Sequence, residues 1–298
     1  MTMPTWRYHL LSLAAIFLAL SLGVLIGVGL TDSGAVDTSQ KDLVGSLQHD
    51  LNSLRGQNNQ LSQENATNAT FQEDSFPFIV GAQLQGKRIA VIASAAAGGD
   101  LQRKLETALH AAGAEMVTTT ILNSRFDLHA AAAKARTDMK NNPAFSAVDD
   151  NALITPIARE LSREIGKGGS TAMLSSLQGT LIESTSGSFN APVDGVVIIT
   201  RADDQQSPAY SELEKQLALG LRSLSVTAVG CEPTDAPISE IPLFQSADVA
   251  SVDNLDSFIG QVSAVYALAG AHGAFGVKPT ADMLVPILKN AKQPPLRQ

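Results

Sequence analysis

Ile89-Ala90-Val91-Ile92-Ala93-Ser94, then Gly98-Gly99-Asp100, then Glu115-Met116-Val117-Thr118-Thr119-Thr120-Ile121-Leu122, is the run of sequence on which the architecture turns. The first piece is short and apolar throughout, the composition of a strand covered on both faces of a parallel sheet. Asp100 reads as a helix N-cap. Leu101, Leu105, Ala108, Leu109 and Ala112 then fall on one face of a helix that Gly113 is placed to end. Residues 115–122 alternate and are β-branched, the pattern of a second strand. Strand, helix and strand in this order make a βαβ unit.

The alternation pauses and resumes downstream. Residues 126–181 read as a helical insertion: Asp127 opens an alanine-rich helix, Ala152 to Ile165 a second, and Thr171 to Leu177 a third after Gly166-Lys167-Gly168-Gly169. Gly195-Val196-Val197-Ile198-Ile199-Thr200 is again a buried strand. Ser207-Pro208 starts a helix, with serine as cap and proline in the first turn. Tyr210, Leu213, Leu217, Leu221 and Leu224 give that helix its sheet-facing side. Ser225 to Gly230 and Ala247 to Val252 read as further strands. Asp256 to Ala269 reads as an amphipathic helix carrying Phe258, Val262, Val265 and Leu268. Glycine-rich Ala269 to Val277 reads as a loop packed closely on the core, or as a docking surface, followed by an apolar tail from Ala281. The expected fold class is α/β: a Rossmann-like or flavodoxin-like, mainly parallel sheet domain over 73–298 with a helical insertion.

Upstream, Leu10 to Leu30 holds 21 residues and no charge. As a helix it spans roughly 30 Å, the thickness of a bilayer's hydrocarbon. The reading is a retained signal anchor at 10–30 with a cytoplasmic tail at 1–9. Arg7 on the near side and Asp32 and Asp37 on the far side favour N-terminus in and the main domain outside the cytoplasm. The apolar run is too long for a cleaved signal peptide, and no good cleavage site follows it. Ala19, Gly23 and Gly27 recur every four positions, the small-residue spacing that lets a second membrane helix approach closely. Residues 31–72 read as a coiled-coil stalk. Val44, Leu51 and Asn58 take one seam position, and Leu47, Leu54 and Leu61 the other, three residues later. Asn58 at an a position suits a parallel two-stranded pair. Gly45 and Gly56 count against the helix, and a polar linker is the alternative.

Composition bounds the chemistry. The 298 residues carry 21 Lys and Arg against 29 Asp and Glu, a net charge of −8, which argues against nucleic acid and against an anionic lipid surface. One cysteine, Cys231, leaves no intrachain disulfide, so the domain rests on its apolar core. No dinucleotide fingerprint, P-loop, nucleophile elbow or zincin motif occurs. The histidines (9, 49, 110, 129 and 272) show no metal-ligand spacing, and the six methionines are scattered. Cys231 follows a strand at the carboxyl edge, where open α/β sheets bind ligands; the choice there is a reactive thiol or a small core residue, and the core residue is preferred. Arg201, Asp203 and Asp204 at the same edge are a polar pocket or a solvated loop with a salt bridge; the loop is preferred. No cofactor is expected.

The order of features resembles the actinobacterial copper transport protein B (MctB) family, in its SteB-like branch. The matching pieces are Leu11 to Leu20 with Gly23-Val24-Leu25-Ile26-Gly27, the Leu/Gln stalk, Gly86-Lys87-Arg88-Ile89-Ala90-Val91-Ile92, and Gly270-Ala271-His272-Gly273-Ala274-Phe275-Gly276. The resemblance implies an envelope protein engaged in copper handling, or in envelope remodelling and cell separation with a membrane partner. No metal ligand transfers from it. An outer-membrane address fits poorly, because a single apolar helix suits the inner membrane and alternating barrel strands do not occur. The expectation is therefore a non-enzymatic, single-pass inner-membrane scaffold, homodimeric through its stalk. Copper transport or binding is the second reading, with no motif to hold the metal, and an enzyme ranks third.

Overall fold

The computed structural model describes residues 5–32, 35–146 and 149–286. The first four residues of the expected tail, and Ile287 and Leu288 of the apolar run from Ala281, lie outside it. The chain divides into two compact units, Met1–Thr70 and Phe71–Gln298.

In the first unit, α1 (Thr5–Asp32) contains Trp6–Gly29, 24 residues of mean hydropathy 2.6 with none of the apolar window buried. It is the one described helix long and apolar enough to cross a membrane. Helix α2 (Ala35–Val80) takes in residues 35–72 of the expected stalk and continues to Val80; Thr31 and Asp32 end α1 instead, and residues 33 and 34 lie outside the described residues. No separate short helix forms around Phe76, Ile79, Val80 and Leu84. The first three belong to the end of α2, and Leu84 follows in a turn. Nothing between Gln72 and Phe76 breaks the helix. Pro77 is accommodated close to its end, and Ala82 at φ +59° turns the chain away.

Among the described residues of the second unit, seven strands form one sheet in the order β3-β2-β1-β4-β5-β6-β7. They are β1 (Arg88–Ser94), β2 (Glu115–Leu122), β3 (Ile182–Gly187), β4 (Gly195–Ile199), β5 (Thr227–Cys231), β6 (Ala250–Val252) and β7 (Ala274–Phe275). Every pairing is parallel except β2 with β3. The chain winds outward from β1 to β2, then returns to place β4 on the other side of β1, so the winding reverses between β1 and β4.

Side-chain alternation builds both faces. Ala90, Ile92, Val196 and Ile198 point into one core, with α4 (Leu128–Asp138), α5 (Ile154–Lys167), α6 (Ala172–Ser176), α7 (Pro208–Ser223) and α8 (Ile241–Ser246). Ile89, Val91, Ala93, Val197 and Ile199 point into the other, with α3 (Gly99–Ala111), α9 (Phe258–Leu268) and the end of α2. There Phe76 meets Phe258 edge to face at 5.5 Å, and the Tyr266 hydroxyl donates to the Ile79 carbonyl at 2.7 Å.

The mainly parallel α/β sheet with its helical insertion is as expected. Four details differ. Gly98, not Asp100, caps α3; Asp100 sits in the first turn and pairs with Arg103 at 2.8 Å. The insertion ends in the antiparallel edge strand β3, which has five exposed residues of six and so no apolar signature. The strand expected from Ala247 begins at Ala250, because α8 and its cap take Ile241 to Ala247. Inside the glycine-rich loop, Ala274 and Phe275 pair with β6 as β7. Gly230 in β5 lets α8 lie flat on the sheet: a Cβ there would collide with the Phe244 ring.

Candidate functional site

The reversal between β1 and β4 opens toward the carboxyl ends of the strands, the place where doubly wound sheets hold ligands. Here that crevice is filled by the chain's own polar side chains. Thr200, just past β4, is fully buried; its amide donates to the Cys231 carbonyl at 2.8 Å. Its hydroxyl lies 2.5 Å from Glu240 Oε2 and 3.2 Å from Glu214 Oε2. Glu240 Oε1 accepts from Ser211 Oγ at 2.7 Å and from Gln206 Nε2 at 2.9 Å.

The two carboxyls divide the work. Burial pushes Glu214 well above the usual carboxylate range, and the neighbouring Glu240 adds to the shift, which favours its protonated form. Burial also pushes Glu240 upward, but hydrogen bonds from Glu214, Thr200, Ser211 and Gln206 outweigh it and hold Glu240 below its ordinary value. One negative charge is thus shared over a buried acid–carboxylate pair. Tyr210 lies fully buried beside it, its hydroxyl facing Ser94 and Glu214 without a well-aligned hydrogen bond.

A second node closes the crevice further along the edge. Glu232 is fully buried; its Oε2 accepts from the Glu240 amide at 2.8 Å, and its Oε1 meets Lys278 Nζ at 2.6 Å. Buried Asp253 accepts from the amides of Val277 and Lys278, both at 2.8 Å. Gly276, at φ +145°, has no room for a Cβ against that carboxylate. The segment after β7 is therefore strapped across the carboxyl edge. At the rim, Arg201 pairs with Asp235 and Asp203 with Arg125 at 2.9 Å, so both partners lie outside the Arg201–Asp204 stretch singled out in the sequence.

Cys231 ends β5 as a fully buried residue, and burial pushes its thiol up, which suits packing and not metal binding. His272 is exposed and lines a cleft of about 350 Å³ with Thr227, at the other end of β5. Cys231 and His272 therefore cannot share an ion. Among the described residues no group of three His, Cys, Asp or Glu is arranged to hold a metal.

The remaining expected residues all lie on the first unit. Ala19 and Gly23 line a shallow groove on α1 with Ile16, Leu20 and Val24; Gly27 follows one turn on. Val44, Leu47, Leu51, Leu54 and Leu61 are between 52 % and 60 % exposed along α2, with exposed Asn58 among them. Sequence reading missed Glu214, Glu232, Glu240 and Lys278. A signal for Glu214 was present: it stands four residues after Tyr210 and three before Leu217, on the apolar stripe of α7, where a carboxyl must be neutralised or partnered.

One apolar helix long enough to cross a membrane, a long polar helix, and a doubly wound α/β domain with buried carboxyls at its carboxyl edge define the class of protein to which the chain belongs. The chain belongs to the MctB family: the family model described as copper transport outer membrane protein, MctB, matches residues 3–286. That membership makes it a copper-transport-related envelope protein. Comparison with curated protein sequences found no match.

Proposed function

We propose that this chain is a single-pass inner-membrane protein, N-terminus in the cytoplasm, that pairs through its stalk. It acts as a non-catalytic scaffold or regulator in envelope remodelling and cell separation, through a membrane partner. The observation that carries the reading is the row of half-exposed Val and Leu side chains on α2, at alternating spacings of three and four. Exposed leucines at that spacing have a use when a second helix covers them. The crevice at the sheet's carboxyl edge supports the non-catalytic part, because Glu240 is already bonded to Thr200, Ser211 and Gln206, and Glu232 to Lys278. The small residues on α1 offer a second contact, to a membrane helix.

Light scattering on the full chain in mild detergent tests the reading. A dimer is expected, together with a membrane protein recovered by crosslinking in intact membranes. A monomer with no crosslinked neighbour would overturn it.

Copper handling is the second reading, favoured by the family's own description. One membrane helix cannot form a pathway alone, so copper would cross only through an oligomer or be carried outside the membrane. Titration of the full chain with Cu(I) against a competing chelator decides. Sub-micromolar affinity that falls on His272→Ala would favour copper over the scaffold.

A further inference from the structure

We infer that the stalk pairs with a second copy of this chain in parallel and in a single register, set by Asp50 of one protomer against Arg55 of the other. The inference rests on the stalk-pairing reading above and adds to it orientation, register and the residues that fix both.

Counting the seam as a and d positions, Val44, Leu51 and Asn58 are a, and Leu47, Leu54 and Leu61 are d. Asp50 then falls at g and Arg55 at the next e. In a parallel pair, a g side chain meets the e side chain five residues further along the opposite helix. The spacing from Asp50 to Arg55 is that spacing, and the symmetry of the pair makes the contact twice.

Three further observations agree. Asp50 and Arg55 are the only Asp, Glu, Lys or Arg in residues 43–63, so a stretch otherwise without fixed charge places its single acid and single base at the two flanking positions. Both side chains are exposed, and among the described residues neither makes an ion pair. Five residues on one helix lie too far around it for the pair to close within a chain, where neighbours are three or four apart. Gly45 and Gly56 take the b and f positions, outside the seam, and a Cβ at either would meet nothing within 4 Å. Antiparallel helices would instead set g against g and e against e, which brings like charges together and separates the Asn58 amides.

The test uses the full chain in mild detergent, with wild type, Asp50→Arg, Arg55→Asp and an equimolar mixture of the two variants. Each variant alone faces two like-charge contacts and is expected to dissociate more readily, by on the order of tenfold in dissociation constant. In the mixture, one chain carries a base at both positions and the other an acid at both. Position 50 of each chain then faces the opposite charge at position 55 of the other, so heterodimers are expected at wild-type strength. Asn58→Cys chains, oxidised with glutathione disulfide, are expected to link 58 to 58. If wild type dimerises but the mixture stays as weak as the single variants, the register is wrong and the dimer stands. If wild type is a monomer, the dimer itself is wrong.

Discussion

Lys278 Nζ sits 2.6 Å from Glu232 Oε1 across 46 residues of sequence, joining the segment after the last strand to the end of β5. Glu232 is fully buried and the Lys278 side chain is only 16 % exposed, so the carboxylate has no water to fall back on. Lys278→Met should leave the carboxylate unpaired and cost about 3 kcal/mol of unfolding free energy. Adding Glu232→Gln should recover a large part. Urea denaturation of the full chain in detergent, followed by near-ultraviolet circular dichroism, measures both; equal loss in the single and double variants would mean the ion pair matters little.

Glu214 should give stability an unusual pH dependence. Its carboxyl is held well above the ordinary range by burial first and Glu240 second. The folded chain therefore keeps a proton that the unfolded chain gives up, and this group's contribution to stability falls as pH rises past the unfolded value. Glu214→Gln carries the neutral form at every pH. Relative to wild type it should gain stability as pH climbs from about 4.5, at up to about 1.4 kcal/mol per unit. A difference that stays flat between pH 4.5 and 7 would show that Glu214 ionises normally.

Asp194 works in the opposite direction. The Arg88 amide, at 2.9 Å, and then Lys87 Nζ, at 3.0 Å, hold its carboxyl below the ordinary value. Its contribution is present above the unfolded value near pH 4 and is lost as pH falls through the folded one. Asp194→Asn should therefore be less stable than wild type at pH 7, and the gap should narrow on acidification. The carboxylate is partly exposed, so the effect should be modest in denaturation midpoints.

Gly230→Ala should destabilise the second unit by about 1–3 kcal/mol, since its methyl meets the Phe244 ring in a packed core. Phe244→Leu in the same chain should relieve part of the strain. If Gly230→Ala unfolds at the wild-type urea concentration, α8 is packed more loosely than described.

Leu51→Ala with Leu54→Ala removes the middle of the stalk seam and nothing from the α/β core. The variant is expected to be monomeric in detergent at concentrations where wild type pairs, with the near-ultraviolet spectrum of the domain unchanged. Pairing that survives both substitutions would move the interface off this seam.

The strands clearest in the sequence were those buried on both faces. Residues 89–93 and 195–199 are unbroken apolar runs, and the structure places β1 and β4 there. β3 escaped because an edge strand with one side in water needs no apolar residues, and Ile182-Glu183-Ser184-Thr185-Ser186-Gly187 has one. β7 escaped because two residues become a strand only when a neighbour pairs with them. In α8, the Ile241-Pro242 start was a helix signal that the reading passed over.

What the sequence settled by itself was local: a helix long and apolar enough for a bilayer, a long polar helix after it, and alternating strands and helices. Each depends on side chains a few residues apart, whose spacing is written directly in the chain. The tertiary structure decided the order of the strands, and with it the meeting of Glu214, Glu232, Glu240, Asp253 and Lys278 at one edge. Those residues are up to 64 positions apart. Burial makes each charge costly until a partner from a distant strand arrives, and no local pattern encodes which strand that will be.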